Sequence, residues 1–262
     1  MQFGTQQPPW RVIRAFPQEN GTALVHLHNV SGGVLAGDDL HLDIEVGPRA
    51  RAQVTSTGAT RLYRHRHGSP DSQQIISISV AEGGLLEYLP DALIPFAGTR
   101  HRQSTRIMLA AGATIFGWEV IAPGRQAMGE RFRFDRLRLT MRIESPRDPV
   151  LLEDFLLQPD VESLVSPARL GDYTHVATFY AIQVGRPVAD LLELERQLRE
   201  IAIRESCQGC TIWGTSALTS DGVLVKGLST SARGIQATLV GFWTAARCFL
   251  IGDAPVPPRK LK

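Results

Sequence analysis

Side chains that alternate apolar and polar over many short runs restrict this chain more than any other feature. Leu40, Leu42, Ile44 and Val46 alternate with His41, Asp43 and Glu45. A two-residue period puts one set on one face of an extended strand and the other set on the opposite face. Leu24 to His28 and Ile76, Ile78 and Val80 repeat the pattern. In Arg131 to Ile143, Phe132 and Phe134 hold even positions, whereas Leu137, Leu139, Met141 and Ile143 hold odd ones. That switch near Asp135 and Arg136 predicts a bulge or a tight turn there, so either one strand is bulged or two short strands meet. Gly32–Gly33, Gly47–Pro48, Gly83–Gly84, Gly112 and Pro123–Gly124 punctuate the runs at the spacing of an all-β body. Helical periodicity is confined to the C-terminal third. Pro187 opens a segment to Arg204 whose Leu191, Leu194, Leu198 and Ile201 share a face, with Glu195 placed to pair with Arg199. A second helix is expected around Thr238 to Ile251, ending at Gly252. The pattern predicts a mainly β single domain over residues 1–262 with two helices, and a proline-rich, basic tail over 254–262.

Composition narrows the class. Of 262 residues, 43% are hydrophobic and 21% charged, ordinary for a soluble globular chain. Thr238 to Gly252 is the longest apolar stretch; Arg247 interrupts it, and it falls short of the ~20 residues that span a bilayer. No basic segment followed by an apolar run marks the N-terminus as a secretion signal. Three cysteines, Cys207, Cys210 and Cys248, fit a reducing cytoplasm better than a disulfide framework. The 25 arginines far outnumber the three lysines, as suits planar, multi-donor contacts. They are concentrated in Arg100–Arg142, whereas Glu144–Glu200 is acidic. Two opposed patches on a chain of net charge +2 point to protein partners, or to one patch closing on the other, and away from nucleic acid.

Among motifs that carry chemistry, a phosphate-binding loop is excluded, because the internal Lys226 is followed by Gly227 and not by Ser or Thr. No G-x-S-x-G elbow occurs. Cys207-Gln-Gly-Cys210 has the spacing of one zinc knuckle, but only Cys248 could add a thiol, so a structural or incidental pair is favoured. His65-Arg-His67 on a strand would put both imidazoles on one face, yet Arg61, Arg64 and Arg66 disfavour a bound cation there. His26 and His28 alternate on a strand with no partner ligands in sequence. Acids beside glycine turns remain. Asp38 and Asp39 close a three-glycine segment, where aspartates commonly bond their own backbone. Glu119 and Glu130 bracket Gly124-Arg125, and either could instead pair with Arg125. By themselves these residues define no reaction.

The same segments, taken in order, resemble the urease accessory protein family UreD (UreH in some species). They are Ser31-Gly-Gly-Val-Leu-Ala-Gly-Asp38, Thr55-Ser-Thr-Gly-Ala-Thr-Arg61, Glu87-Tyr-Leu-Pro-Asp-Ala-Leu-Ile-Pro-Phe96, Gly117-Trp-Glu119 through Gly124-Arg125 to Gly129-Glu130, and Trp243-Thr-Ala-Ala-Arg247 with Pro258-Arg259. Each is weak alone, and the ordered set spans residues 8–259. Compared with the family, the chain starts late, without the strand pair that usually precedes Val12 to Gly21, so an edge strand is expected to lack cover.

The resemblance implies stacked mixed β-sheets, β-helical or sandwich-like, with two helices. It implies a non-enzymatic cytoplasmic scaffold in a hetero-oligomer. UreF would bind it and recruit the GTPase UreG, and the assembly would dock on the urease apoprotein. Nickel would pass transiently through the chain, with no tightly bound cofactor and no nucleic-acid or membrane partner. Weakly holding oxygen and nitrogen ligands suit such a passage. Asp38, Asp39, Glu119 and Glu130, with His41 behind them, are the expected nickel contacts. The competing readings are a β-rich metallo- or carbohydrate-active enzyme built on Glu119/Glu130 or His65/His67, and a protein-binding β domain working through its charge patches.

Overall fold

Strands that bury one face must lie against a second layer, and the chain supplies that layer by returning alternately to two sheets. The computed structural model describes residues 2–258. The N-terminal strands are β1 (Trp10–Arg11), β2 (Ala15–Pro17), β3 (Ala23–Asn29), β4 (Asp39–Val46), β5 (Arg51–Ser56) and β6 (Thr60–Leu62). The middle ones are β7 (Ser72–Val80), β8 (Leu85–Leu89), β9 (Leu93–Pro95), β10 (Arg100–Leu109), β11 (Thr114–Ile121) and β12 (Arg136–Glu144). Then come β13 (Pro149–Leu157), β14 (His175–Gln183), α1 (Val188–Glu205), β15 (Thr211–Ala217), β16 (Gly222–Ser229) and α2 (Ala232–Ile251).

Among the described residues, β3, β5, β8 and β11 run parallel in one large sheet, and β4, β7, β10 and β12 run parallel in a five-stranded one. Each strand of the first set is followed by one of the second, so the chain climbs in four coils of a β-helix. Antiparallel strands then close the stack. β13 pairs with β12 on the small sheet, and β14, β16 and β15 extend the large one. The sheets are therefore mixed and stacked, in agreement with the expected class. β1 and β2 both pair with β3, so that strand's outer side is covered after all.

At the parity switch the structure has a turn rather than a bulged strand. Phe132 adopts a left-handed turn (φ 53°), Phe132 and Phe134 pack edge to face in the core, and the N–H groups of Asp135 and Arg136 both donate to the Thr99 carbonyl. Only at Arg136 does β12 begin. The basic and acidic segments also meet. On the outer face of the small sheet Arg100, Arg102 and Arg136 surround Asp71, Arg106 and Arg142 share Glu144, and Arg138 pairs with Asp154.

Both helices cover the outer face of the large sheet. α1 buries Leu191, Leu194, Leu198 and Ala202, and Arg199 bonds Glu195 at 2.6 Å as its spacing predicts. α2 starts six residues before the expected Thr238, at Ala232, and ends at left-handed Gly252. Its 20 residues are long and apolar enough to cross a membrane by length and composition, unlike the shorter stretch visible in sequence. Its Ile235, Leu239, Phe242, Trp243, Ala246 and Leu250 are instead packed on the sheet.

A buried polar group locks α2 in place. Glu87 on β8 and Arg247 on α2 are both fully buried, with Arg247 Nε donating to Glu87 Oε1 at 2.7 Å. Trp243 Nε1 donates to the same oxygen at 3.0 Å, and Gln53 Nε2 to Oε2 at 2.8 Å. Burial pushes the Glu87 carboxyl up, and the Arg247 charge with the three donors opposes it. Arg247 Nη1 also reaches the carbonyls of Asp253 and Ala254, and Gln53 and Gln18 bond the Val256 carbonyl. The start of the expected tail is therefore docked; its Arg259 to Lys262 lie outside the described residues. Replacing Arg247 with Met strands a buried carboxylate and is expected to cost about 3–5 kcal/mol. Glu87→Met combined with Arg247→Met should regain most of that loss in urea unfolding, because the double change removes the stranded charge.

Candidate functional site

β11 is built to face two ways. Phe116, Trp118 and Val120 point to the helices, and Ile115, Gly117, Glu119 and Ile121 point between the sheets. A carboxylate at the third of those inner positions interrupts an otherwise apolar row. Neighbouring strands continue the interruption in register: Glu119 lies beside Thr178 on β14, and Thr178 beside Lys226 on β16. Tyr180 and Leu224 flank this polar row on one side, and Ile121, Val176 and Leu228 on the other, so it separates two apolar clusters. From the small sheet Gln103 Nε2 donates to Glu119 Oε1 at 2.9 Å, and Glu153 on β13 forms an ion pair with Lys226.

Space is available at this seam. One cavity is lined by Trp10, Gln74, Tyr88, Asp91, Gln103 and Glu119, and a second by Glu119, Met141, Glu153, Phe155 and Thr178. Glu119 borders both. Gly117 makes room for the Tyr180 ring, since a Cβ there would come within 2.3 Å of its hydroxyl. Several buried oxygens nearby (Gln74 Oε1, Thr105 Oγ1 and Tyr180 Oη) lack a hydrogen-bond partner. Burial, then the Glu153 charge, pushes the Glu119 carboxyl up to about 7, against the pull of Lys226 and the Gln103 bond. Burial and the same carboxylate also push the Tyr88 hydroxyl up.

The other expected nickel contacts lie elsewhere. Asp38 accepts the Leu35 N–H at 2.8 Å and donates its own N–H to the Leu35 carbonyl, forming a local turn. Asp39 and His41 contact each other at 3.1 Å on the exposed face of β4, the edge strand of the small sheet. Glu130 accepts from Arg125 Nε at 2.9 Å and from the Ala97 N–H at 3.2 Å; the Arg125 bond holds its carboxyl below the usual range. Arg125 thus pairs with Glu130 and not with Glu119.

His65 and His67 sit in the loop after β6 and share no strand face, correcting the alternation read there. His26 and His28 lie half-buried on β3. Cys207, Cys210 and Cys248 are free and exposed. Among the described residues no three His, Cys, Asp or Glu side chains are grouped to hold a metal. Gln103, Glu153, Thr178 and Lys226 escaped the sequence reading. Lys226 alone left a trace, as a lone internal lysine within an apolar, alternating strand.

This arrangement offers one ionisable carboxylate, a second carboxylate masked by an ammonium, and neutral oxygen donors. Oxygen donors of this kind are hard ligands, which hold a borderline metal less tightly than imidazole or thiolate. No nucleophile–base pair is formed at the seam.

The family described as "UreD urease accessory protein" matches residues 3–262. A protein of Herpetosiphon aurantiacus named "Urease accessory protein UreD" is 42% identical over 97% of this chain and 88% of its own length. Proteins of the same name from Haloarcula marismortui and Pseudomonas aeruginosa are each 34% identical, over 89% and 96% of this chain and 75% and 85% of their own lengths.

Because burial raises the Glu119 carboxyl, the folded chain binds a proton there that the unfolded chain has lost between about pH 4.5 and 7. Stability from this group therefore falls as pH rises through that window. Glu119→Gln keeps the shape and abolishes the penalty. It should unfold at nearly the wild-type temperature at pH 4 and be more stable at pH 8, by on the order of 3 kcal/mol at most. Thermal melts at the two pH values check this.

Proposed function

The chain belongs to the UreD urease accessory protein family, and from that premise we propose that it is a non-enzymatic scaffold that delivers nickel to urease. A role in urease maturation follows from the family itself. In our reading UreF binds this chain and brings the GTPase UreG, and the assembly works on the urease apoprotein in the cytoplasm. The division of labour is supported by the absence of a phosphate-binding loop in the sequence, which leaves nucleotide hydrolysis to a partner.

The observation that carries the nickel assignment is the polar seam at Glu119, a carboxylate between the two sheets that lines two cavities. Ni²⁺ is the cargo. In its absence Lys226 holds Glu153 as an internal counter-ion. An arriving Ni²⁺ displaces that ammonium, takes oxygen from Glu119 and Glu153, and leaves again when the ammonium returns. Oxygen ligands bind nickel less tightly than imidazole or thiolate would, which favours passage over storage. Asp38, Asp39, His41 and Glu130 are the lesser members of the proposal, because turn, edge and ion-pair geometry already occupies them.

The test is nickel per urease active site after co-expression of the urease subunits with UreF, UreG and this chain. Omitting the chain should collapse loading, and unchanged loading would end the maturation role. Glu119→Ala and Glu153→Ala should each lower loading several-fold while the chain still co-purifies with UreF. If both variants load fully, the seam is not the route, although the family role stands. Asp38→Ala, Asp39→Ala and Glu130→Ala are expected to have smaller effects in the same assay.

A further inference from the structure

α1 ends at Glu205, and Cys207 to Cys210 turn the chain into β15. The turn is closed tightly. The Cys207 carbonyl accepts the N–H groups of both Cys210 and Thr211 at 2.9 Å, and Gly209 takes the left-handed conformation (φ 74°) that the reversal requires. It is also anchored on both sides. Ser206 Oγ accepts the Trp213 N–H at 3.0 Å, and the Cys210 carbonyl accepts the Thr230 N–H at 2.9 Å and the Ser229 hydroxyl at 3.2 Å.

A β-turn of this kind brings its first and fourth Cα atoms within about 7 Å, the range a disulfide spans. Both thiols are exposed and neither is in a disulfide, so neither packs into the core nor completes a metal site among the described residues.

We infer that Cys207 and Cys210 form a redox-modification site that takes small-molecule disulfides of the glutathione class as its substrate. One cysteine thiolate attacks a sulfur of the small disulfide, forming a mixed disulfide and expelling the first small thiolate. The second cysteine thiolate attacks the protein sulfur of that bond, closing the Cys207–Cys210 disulfide and expelling the second. The protein gives up two electrons and two protons; the small disulfide is reduced to two thiols. The rigid turn makes the second step intramolecular and faster than attack by another small thiol.

Local electrostatics set the pace. The pair follows the C-terminal end of α1, whose partial negative charge disfavours thiolate, and the hydrogen bond to Cys207 holds the Cys210 thiol above its usual range. The exchange should quicken by up to about tenfold per pH unit between pH 6.5 and 8, as thiolate forms.

The experiment incubates the reduced full chain with oxidised glutathione, quenches with acid, and maps the cysteines by mass after alkylation. Wild type should lose two hydrogens, with the bond mapped to Cys207–Cys210 and no lasting adduct at either. Cys207→Ser and Cys210→Ser should each retain one glutathione on the remaining member of the pair. Glutathione persisting on both cysteines of the wild type would overturn the assignment, as would bonds between copies. So would a pair that stays reduced at pH 8 while Cys248 reacts.

Discussion

The ion pair between Glu87 and Arg247 is the contact on which the helical layer depends. Two fully buried charges are tolerable when each finds its counter-charge and most of its remaining donors and acceptors are met, and here Arg247 Nη2 is left without a hydrogen-bond partner. Glu87 receives Arg247, Trp243 and Gln53, and Arg247 also gathers the chain beyond α2 onto the sheet. Shifting α2 by one turn would strand both charges at once. A purely apolar contact would permit such slippage at modest cost, whereas this one specifies a single register. The helix then covers Phe116, Trp118 and Phe179, which would otherwise face solvent.

With one face of the large sheet sealed by helices, its other face is free to differ. The antiparallel register of β11, β14 and β16 puts the inner position of Glu119 level with Thr178 and Lys226, so their polar side chains line up across the three strands. Glu119, Thr178 and Lys226 form such a row, and it runs between two apolar clusters without breaking either. Glu119 is only partly exposed where it borders the two cavities, and the rise in its proton affinity follows from the water it loses between the sheets.

Much of the fold was legible because strands announce themselves by alternation and turns by glycine. β4, β7 and both helices follow from residues close together in sequence, and the Glu195–Arg199 pair from a spacing of four. What was not legible depended on non-local partners. Nothing adjacent to Glu87 reveals that Trp243 and Arg247 complete it, although both segments belong to the resemblance. At the site, Glu119 was found because it sits beside a glycine in a recognisable segment. Glu153 was not, since it looks like an ordinary surface charge until the two sheets are stacked, and Lys226 left only the trace of a lone lysine in an apolar strand. Asp38 and Glu130 share the same local signature as Glu119, yet backbone and guanidinium partners already bind them. The start of α2 was missed because Ser231, Ala232 and Gly234 carry no apolar periodicity.

The distance along the chain between Glu87 and its partner has a consequence for synthesis. The two residues are separated by 160 positions. At about 5–20 residues per second, the ribosome delivers Arg247 on the order of ten to thirty seconds after Glu87. Throughout that interval the nascent coils carry a carboxylate that cannot be buried and a sheet face without its cover. The β-helical part is therefore complete in sequence well before it can be complete in structure, and release of the last helix acts as the closing step of folding.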